Sequence, residues 1–195
     1  GLGDGLPTVE ASLAGESGGY GDTRLTAKPG TRFNYAGAGY SILQLLVEEA
    51  TNTPLQQHLQ TSVMAPLGMR ESEFGWDAVD DPEVTYYSEF GETVPAPRLS
   101  EIAAGGLNVT LHDFALFAAA HVASDRAPAG RGVLRPETLA QMMAPAEAAQ
   151  GGYGLGLSIM TLPNGRVLVG HDGGNPGVGT IFYVDPLTRD GIVVM

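Results

Sequence analysis

The stretch "YGLGLSIMTLPNGRVLVGHDGGNPGVGTIFYVD" (residues 153–185) alternates apolar runs of strand length with turn signals. The first break is the pair Asn164-Gly165 and the second is the run Gly-Asn-Pro-Gly at 174–177. An Asn-Gly pair between apolar runs is the strongest short-range hairpin signal, because both residues tolerate the left-handed backbone that a tight turn needs. A further apolar run, "GIVVM", ends the chain. The C-terminal quarter therefore reads as an antiparallel meander over residues 151–195.

Upstream the period changes. Tyr40, Leu43, Leu46, Val47 and Ala50 recur at helical spacing in "YSILQLLVEEA". Thr53-Pro54 opens a second helix, with Thr53 as N-cap, Pro54 at the first position and Gln56 completing a capping box. It runs through "LQQHLQTSVM" and stops at Pro66 and Gly68. Residues 70–104 lack periodicity and read as a long surface excursion. "GGLNVTLHDFALFAAAHVA" predicts a third helix capped by Thr110, with Asp113 three residues on, and "RPETLAQMMAP" predicts a fourth. Helices first and a meander after them define an α+β chain with segregated layers. Residues 28–150 form the mainly helical part of one domain spanning 1–195.

The chain's 195 residues suffice for one buried core, and 43% apolar with 16% charged residues is a globular composition. Its net charge of −12 repels a phosphate backbone and argues against a nucleic-acid partner. No apolar run reaches the length of a membrane span. Cysteine is absent, which removes disulfide and thiol chemistry. The sequence starts without methionine or signal peptide and stops inside a strand-like run, so it reads as a piece of a longer protein, cut at both ends.

Two segments are candidates for chemistry. "RFNYAGAGY" (32–40) holds Tyr35 beside glycines at the mouth of a helix. Taken alone, that tyrosine is a core or interface aromatic, yet the glycines offer nothing to pack a ring and let a substrate come close. "VGHDGGNPGVG" (169–179) is a tight hairpin with a histidine at a strand end, but it carries more glycine than one turn demands. Its bare backbone after His171 offers N–H groups to an anion. His58, His112 and His121 follow no metal spacing and read as helix-surface residues. Asp77, Asp80, Asp81 and Glu83 lack the EF-hand pattern and read as a solvated loop. No nucleophile elbow and no phosphate-cradling loop occurs.

Five stretches in order, "KPGTRFNYAGAGYSILQLLVEEATNTPLQQHL", "VMAPLGM", "AAGGLNVTLHDFALF", "GYGLGL" and "GHDGGNPGV", resemble the serine β-lactamase-related family of class C β-lactamases, DD-peptidases and esterases. The resemblance implies the β-lactamase/transpeptidase-like fold: an antiparallel sheet flanked by helices, a helical lobe, and the site between them. It also implies three catalytic elements: S-x-x-K, Tyr-x-Asn, and Lys-Thr-Gly or His-x-Gly on an edge strand. Tyr35 matches the tyrosine and is cast as a proton relay. His171, Asp172 and Gly173 match the third element, with His171 lining the cleft and Asp172 and Gly173 contacting substrate. Gly174 lends its N–H to an oxyanion hole.

Two departures qualify this match. Gly37 stands where the family carries the asparagine, which points away from an efficient β-lactamase or cell-wall peptidase and towards an esterase-like or unassigned hydrolase. No S-x-x-K occurs: the single lysine, Lys28, has Leu25 three residues before it. The nucleophile is expected upstream of Gly1. The resemblance implies a small ester, amide or peptide substrate, no metal and no organic cofactor, and relatives that are frequently exported. If the sequence were the whole chain, a non-catalytic ligand-binding member of the fold would be the better reading.

Overall fold

The computed structural model describes residues 6–16, 22–75, 84–96, 98 and 100–195. The calcium-like acids Asp77, Asp80, Asp81 and Glu83 lie outside them. Two compact units emerge, interleaved in sequence. One takes in the described residues up to Gln60 together with Glu73–Asn108; the other joins Thr61–Ser72 to Val109–Met195.

In the first unit α1 (Val9–Leu13) is capped by Thr8, whose hydroxyl accepts from the Ala11 N–H. The long helix α2 (Gly37–Thr51) begins three residues before the apolar spacing at Tyr40, and ends on left-handed Asn52. Its faces are the reverse of what that spacing suggests. Ser41 is fully buried and Gln44 nearly so, whereas Leu43 and Leu46 are exposed, Leu46 by 59%. The reason is the partner surface, since α2 packs chiefly on α5 (Ile102–Gly105) and also on α1. Gln44 Oε1 accepts from the Ala103 N–H at 3.2 Å, and on α1 Ser12 hydrogen-bonds the Glu101 carboxylate. Backbone donors left over at a short helix need side-chain acceptors, and a polar seam supplies them.

The second helix departs from expectation at its start. Thr53 is not the cap: its hydroxyl donates to the Thr51 carbonyl, and the Leu55 N–H is taken by Glu48 Oε1 at 3.1 Å. α3 (Leu55–Leu59) then widens into a π-helical turn, Gln60–Met64, before α4 (Ala65–Leu67). Pro66 cannot donate to the Ser62 carbonyl and its ring crowds it, so the widened turn takes the place of a regular one. Gly68, at φ 80°, ends the run as predicted. The excursion at 70–104 is less irregular than read. It contains β1 (Glu73–Phe74), β2 (Tyr86–Tyr87) and β3 (Thr93–Val94); β2 and β3 form a hairpin, and β1 pairs with β4 (Leu107–Asn108).

In the second unit Thr110 caps α6 (Leu111–Ala119) as predicted, accepting from the Asp113 N–H. α7 (Pro136–Met143) follows, then an antiparallel sheet in the order β5 (Ser158–Thr161), β6 (Val167–Asn175), β7 (Val178–Val184), β8 (Gly191–Val194). The β5–β6 hairpin closes with Leu162 pairing with Arg166, so its loop is three residues ending on Gly165 at φ 82°. Pro176 and Gly177 turn β6 into β7, with Gly177 at φ 80°. α6 lies on β7 and β8, and Phe114, Ala118, Val122, Leu157, Val169, Phe182 and Val184 form the core. Phe114 and Phe117 each meet Phe182 edge-on at 5.6 Å between centroids. His121 is buried beside Phe117 and Phe182 rather than on the helix surface; its Nδ1 lies 3.0 Å from the Phe117 carbonyl. His112 is exposed and His58 half-buried.

Candidate active site

Tyr35 occupies the extended stretch leading to α2, one residue before the N-cap Ala36. Its ring is 64% exposed, so it is not a packed core aromatic. Tyr40, one turn into α2, has its phenol raised above the ordinary value, first by burial and then by the nearby Tyr35. Gly37 is the first residue of α2, and a side chain at Gly39 would meet nothing within 4 Å. Asn34 and Ala36, on either side of Tyr35, are exposed as well, within the first unit.

The other candidates sit on β6 in the second unit. β5 pairs with β6 only as far as Ser158 opposite Gly170, whereas β7 pairs with β6 to its end at Asn175. Residues 171–175 therefore overhang β5, and among the described residues no strand covers that edge. Within a strand, alternate residues direct N–H and C=O to opposite edges, so Asp172 and Gly174 share one edge and His171 and Gly173 the other. Gly174 is exposed, and a Cβ there would meet nothing within 4 Å. A Cβ at Gly173 would lie 2.7 Å from Thr180 Oγ1. Gly170 admits none at all, since the Phe182 carbonyl oxygen lies 1.9 Å from where that Cβ would be. This close approach draws β6 and β7 together directly before His171.

The residue that the sequence reading passed over is Tyr153. Its hydroxyl oxygen lies 2.6 Å from His171 Nε2, and the two rings meet edge-on at 5.9 Å. His171 Nδ1 meets the Asp172 carbonyl oxygen. Tyr153 is held by its own backbone: its carbonyl accepts from the Ala146 N–H at 2.8 Å, and Gly154 beside it lies too close to the Met142 carbonyl for any side chain. The only local signal was a tyrosine followed by that glycine in "GYGLGL". Among the described residues no group of three or more His, Asp or Glu side chains is placed to hold a metal ion. No helix there is long and apolar enough to cross a membrane.

The helices and antiparallel sheet of this chain have the β-lactamase/transpeptidase-like class of fold. The sequence profile of the Beta-lactamase family matches residues 6–195, and the chain belongs to that family. The octameric penicillin-binding protein homologue from Pyrococcus abyssi superposes with a TM-score of 0.75 at 25% identity, over 95% of this chain and 43% of its own. A D-stereospecific amidohydrolase from Streptomyces sp. gives 0.75 at 20% identity, over 97% and 56% of the two chains. The D-amino acid amidase from Ochrobactrum anthropi SV3, complexed with L-phenylalanine, gives 0.73 at 24%, over 97% and 55%. The chain thus spans about half the length of these structures. No curated protein sequence matches it.

Proposed function

We propose that the intact protein is a serine hydrolase that cleaves ester or amide bonds through an acyl-enzyme. In this reading a serine outside the present chain attacks the carbonyl, and Tyr35, coupled to a lysine also outside it, relays the serine proton. The Gly174 N–H joins the oxyanion hole, His171 lines the cleft, and Gly37, Asp172 and Gly173 lie against the substrate. A phenol ordinarily titrates near 10, so such a tyrosine acts as a relay rather than as a standing anion at neutral pH. The observation that carries the reading is the overhanging edge of β6 at residues 171–175, with an unobstructed glycine at 174. The exposed backbone at Gly174 can hold an acyl group through its N–H.

The test is a panel of nitrocefin, p-nitrophenyl esters and D-amino acid amides with the intact protein, together with the parent coding sequence. Turnover of an ester or amide, with S-x-x-K encoded upstream of Gly1, agrees with the proposal. An intact protein that lacks S-x-x-K and turns over none of the panel would be a ligand-binding member of the fold instead.

A further inference from the structure

Tyr153 and His171 carry information beyond that reading, although the inference rests on it for its link to substrate. A backbone carbonyl can only accept, so the contact between His171 Nδ1 and the Asp172 oxygen requires the proton on Nδ1. In the neutral ring Nε2 is then an acceptor, and the phenol 2.6 Å away donates to it. Both ring nitrogens are thereby engaged at the point where β6 leaves β5. The hydroxyl that engages Nε2 sits on a segment with little play, because Gly154 and Leu155 are pressed against the Met142 carbonyl, the latter through a 2.9 Å hydrogen bond. A carboxylate entering this corner finds a ring whose Nδ1–H is already committed to the Asp172 carbonyl and whose Nε2 is already met by Tyr153. It also finds the exposed Asp172 next in sequence, on a chain with a net charge of −12.

We propose that Tyr153 is a positioning residue that sets the Nδ1–H tautomer of His171, and that the corner so formed selects uncharged esters and amides over substrates bearing a free carboxylate. Tyr153 acts through His171 and takes no part in bond breaking.

The experiment combines two readouts on the intact protein and on Tyr153→Phe. Long-range 15N–1H spectra, recorded near pH ~8.5 and so well above the ordinary imidazole value of about 6.5, report the tautomer, with His171→Gln identifying the signal. The wild type shows the Nδ1–H form, and Tyr153→Phe populates the Nε2–H form. In parallel, kcat/KM is compared for two aryl esters that differ only in a free carboxylate against its methyl ester. The wild type favours the uncharged ester by about tenfold, the margin between an ordinary and a charge-assisted hydrogen bond. That margin narrows in Tyr153→Phe, whose freed Nε2–H can donate to the carboxylate. An unchanged tautomer in the variant overturns the lock, and a wild type that prefers the carboxylate ester overturns the selectivity. If neither ester is cleaved, the hydrolase reading fails and takes the selectivity with it, while the spectra still decide whether Tyr153 sets the tautomer.

Discussion

The carboxylate of Asp113 accepts two hydrogen bonds from one neighbouring segment, from Ser72 Oγ and from the Glu71 N–H, each at 2.7 Å. Asp113 is 1% exposed. The capping-box pattern drew attention to it, yet its side chain pins residues 71–72 to α6 rather than turning back to Thr110. Asp113→Ala should leave a backbone donor and a hydroxyl unsatisfied, at a cost of about 2–4 kcal/mol. Asp113→Asn keeps one acceptor and should cost less. Urea unfolding of the intact protein measures both; equal stability of wild type and Asp113→Ala would show that water serves these donors as well.

Gly170 tests how far the position of His171 depends on strand spacing. A methyl group there would lie 1.9 Å from the Phe182 carbonyl oxygen, a backbone atom that no rotamer change can move aside. Gly170→Ala should cost about 3 kcal/mol, the upper range for overpacking, and should lower hydrolysis together with stability. Gly174→Ala, where the added carbon meets nothing within 4 Å, should leave the melting temperature nearly unchanged. Similar thermal melts for the two variants would refute this contrast.

Asp185 joins the β7–β8 turn to the β5–β6 hairpin. It accepts from Arg166 Nε at 2.7 Å and from the Leu187 and Thr188 N–H groups at 2.8 and 3.1 Å. The Arg166 hydrogen bond, then the backbone donors, hold its carboxyl below the ordinary value against the opposing effect of burial. A lowered carboxyl stabilises the fold above the unfolded value near ~3.9, and that contribution disappears as pH falls through the lower folded value. The gap in melting temperature between wild type and Asp185→Asn should therefore be widest near neutrality and close in acid. A gap independent of pH would mean that the charge is immaterial.

His121 has the same sign through a different cause. Burial among Phe117 and Phe182 lowers its affinity for a proton, and only in part do backbone hydrogen bonds to Phe117 and Ala118 oppose this. A histidine kept neutral by folding supports stability above the ordinary value near ~6.5, and the support is lost as pH falls below it towards the lowered value. His121→Phe, which preserves the aromatic packing, should flatten the stability profile below about pH 6.5. A wild-type profile already flat in that window would contradict the assignment.

What the sequence disclosed was local. Thr110 could be read as a cap because its acceptor and the Asp113 N–H are three residues apart, and Asn164-Gly165 marks its hairpin within five residues. Readings that depended on distant partners failed. The Leu55 donor is taken by Glu48 from the preceding helix, so Thr53 is not needed as a cap. The buried face of α2 is set by α1 and α5, where the Ala103 N–H bonds Gln44 although the spacing suggested an apolar partner. His121 looks like any polar helix residue until the Phe182 ring, 61 positions later, comes to rest against it. Tyr153 was invisible for the same reason: the ring it bonds lies 18 residues on, across a hairpin.

Tyr35→Phe bears on the proposed chemistry most directly. The ring stands 64% exposed ahead of α2, so removing one hydroxyl should leave packing intact and the melting temperature nearly unchanged. Were the phenol the relay for the serine proton, its loss would remove acid–base assistance worth on the order of 10²–10⁴-fold. Ester hydrolysis by the intact protein should then fall at least about a hundredfold, chiefly in kcat, because the hydroxyl is needed when the proton moves and not when substrate binds. A rise in KM with kcat preserved would make Tyr35 a binding residue, and turnover equal to wild type would take it out of the mechanism.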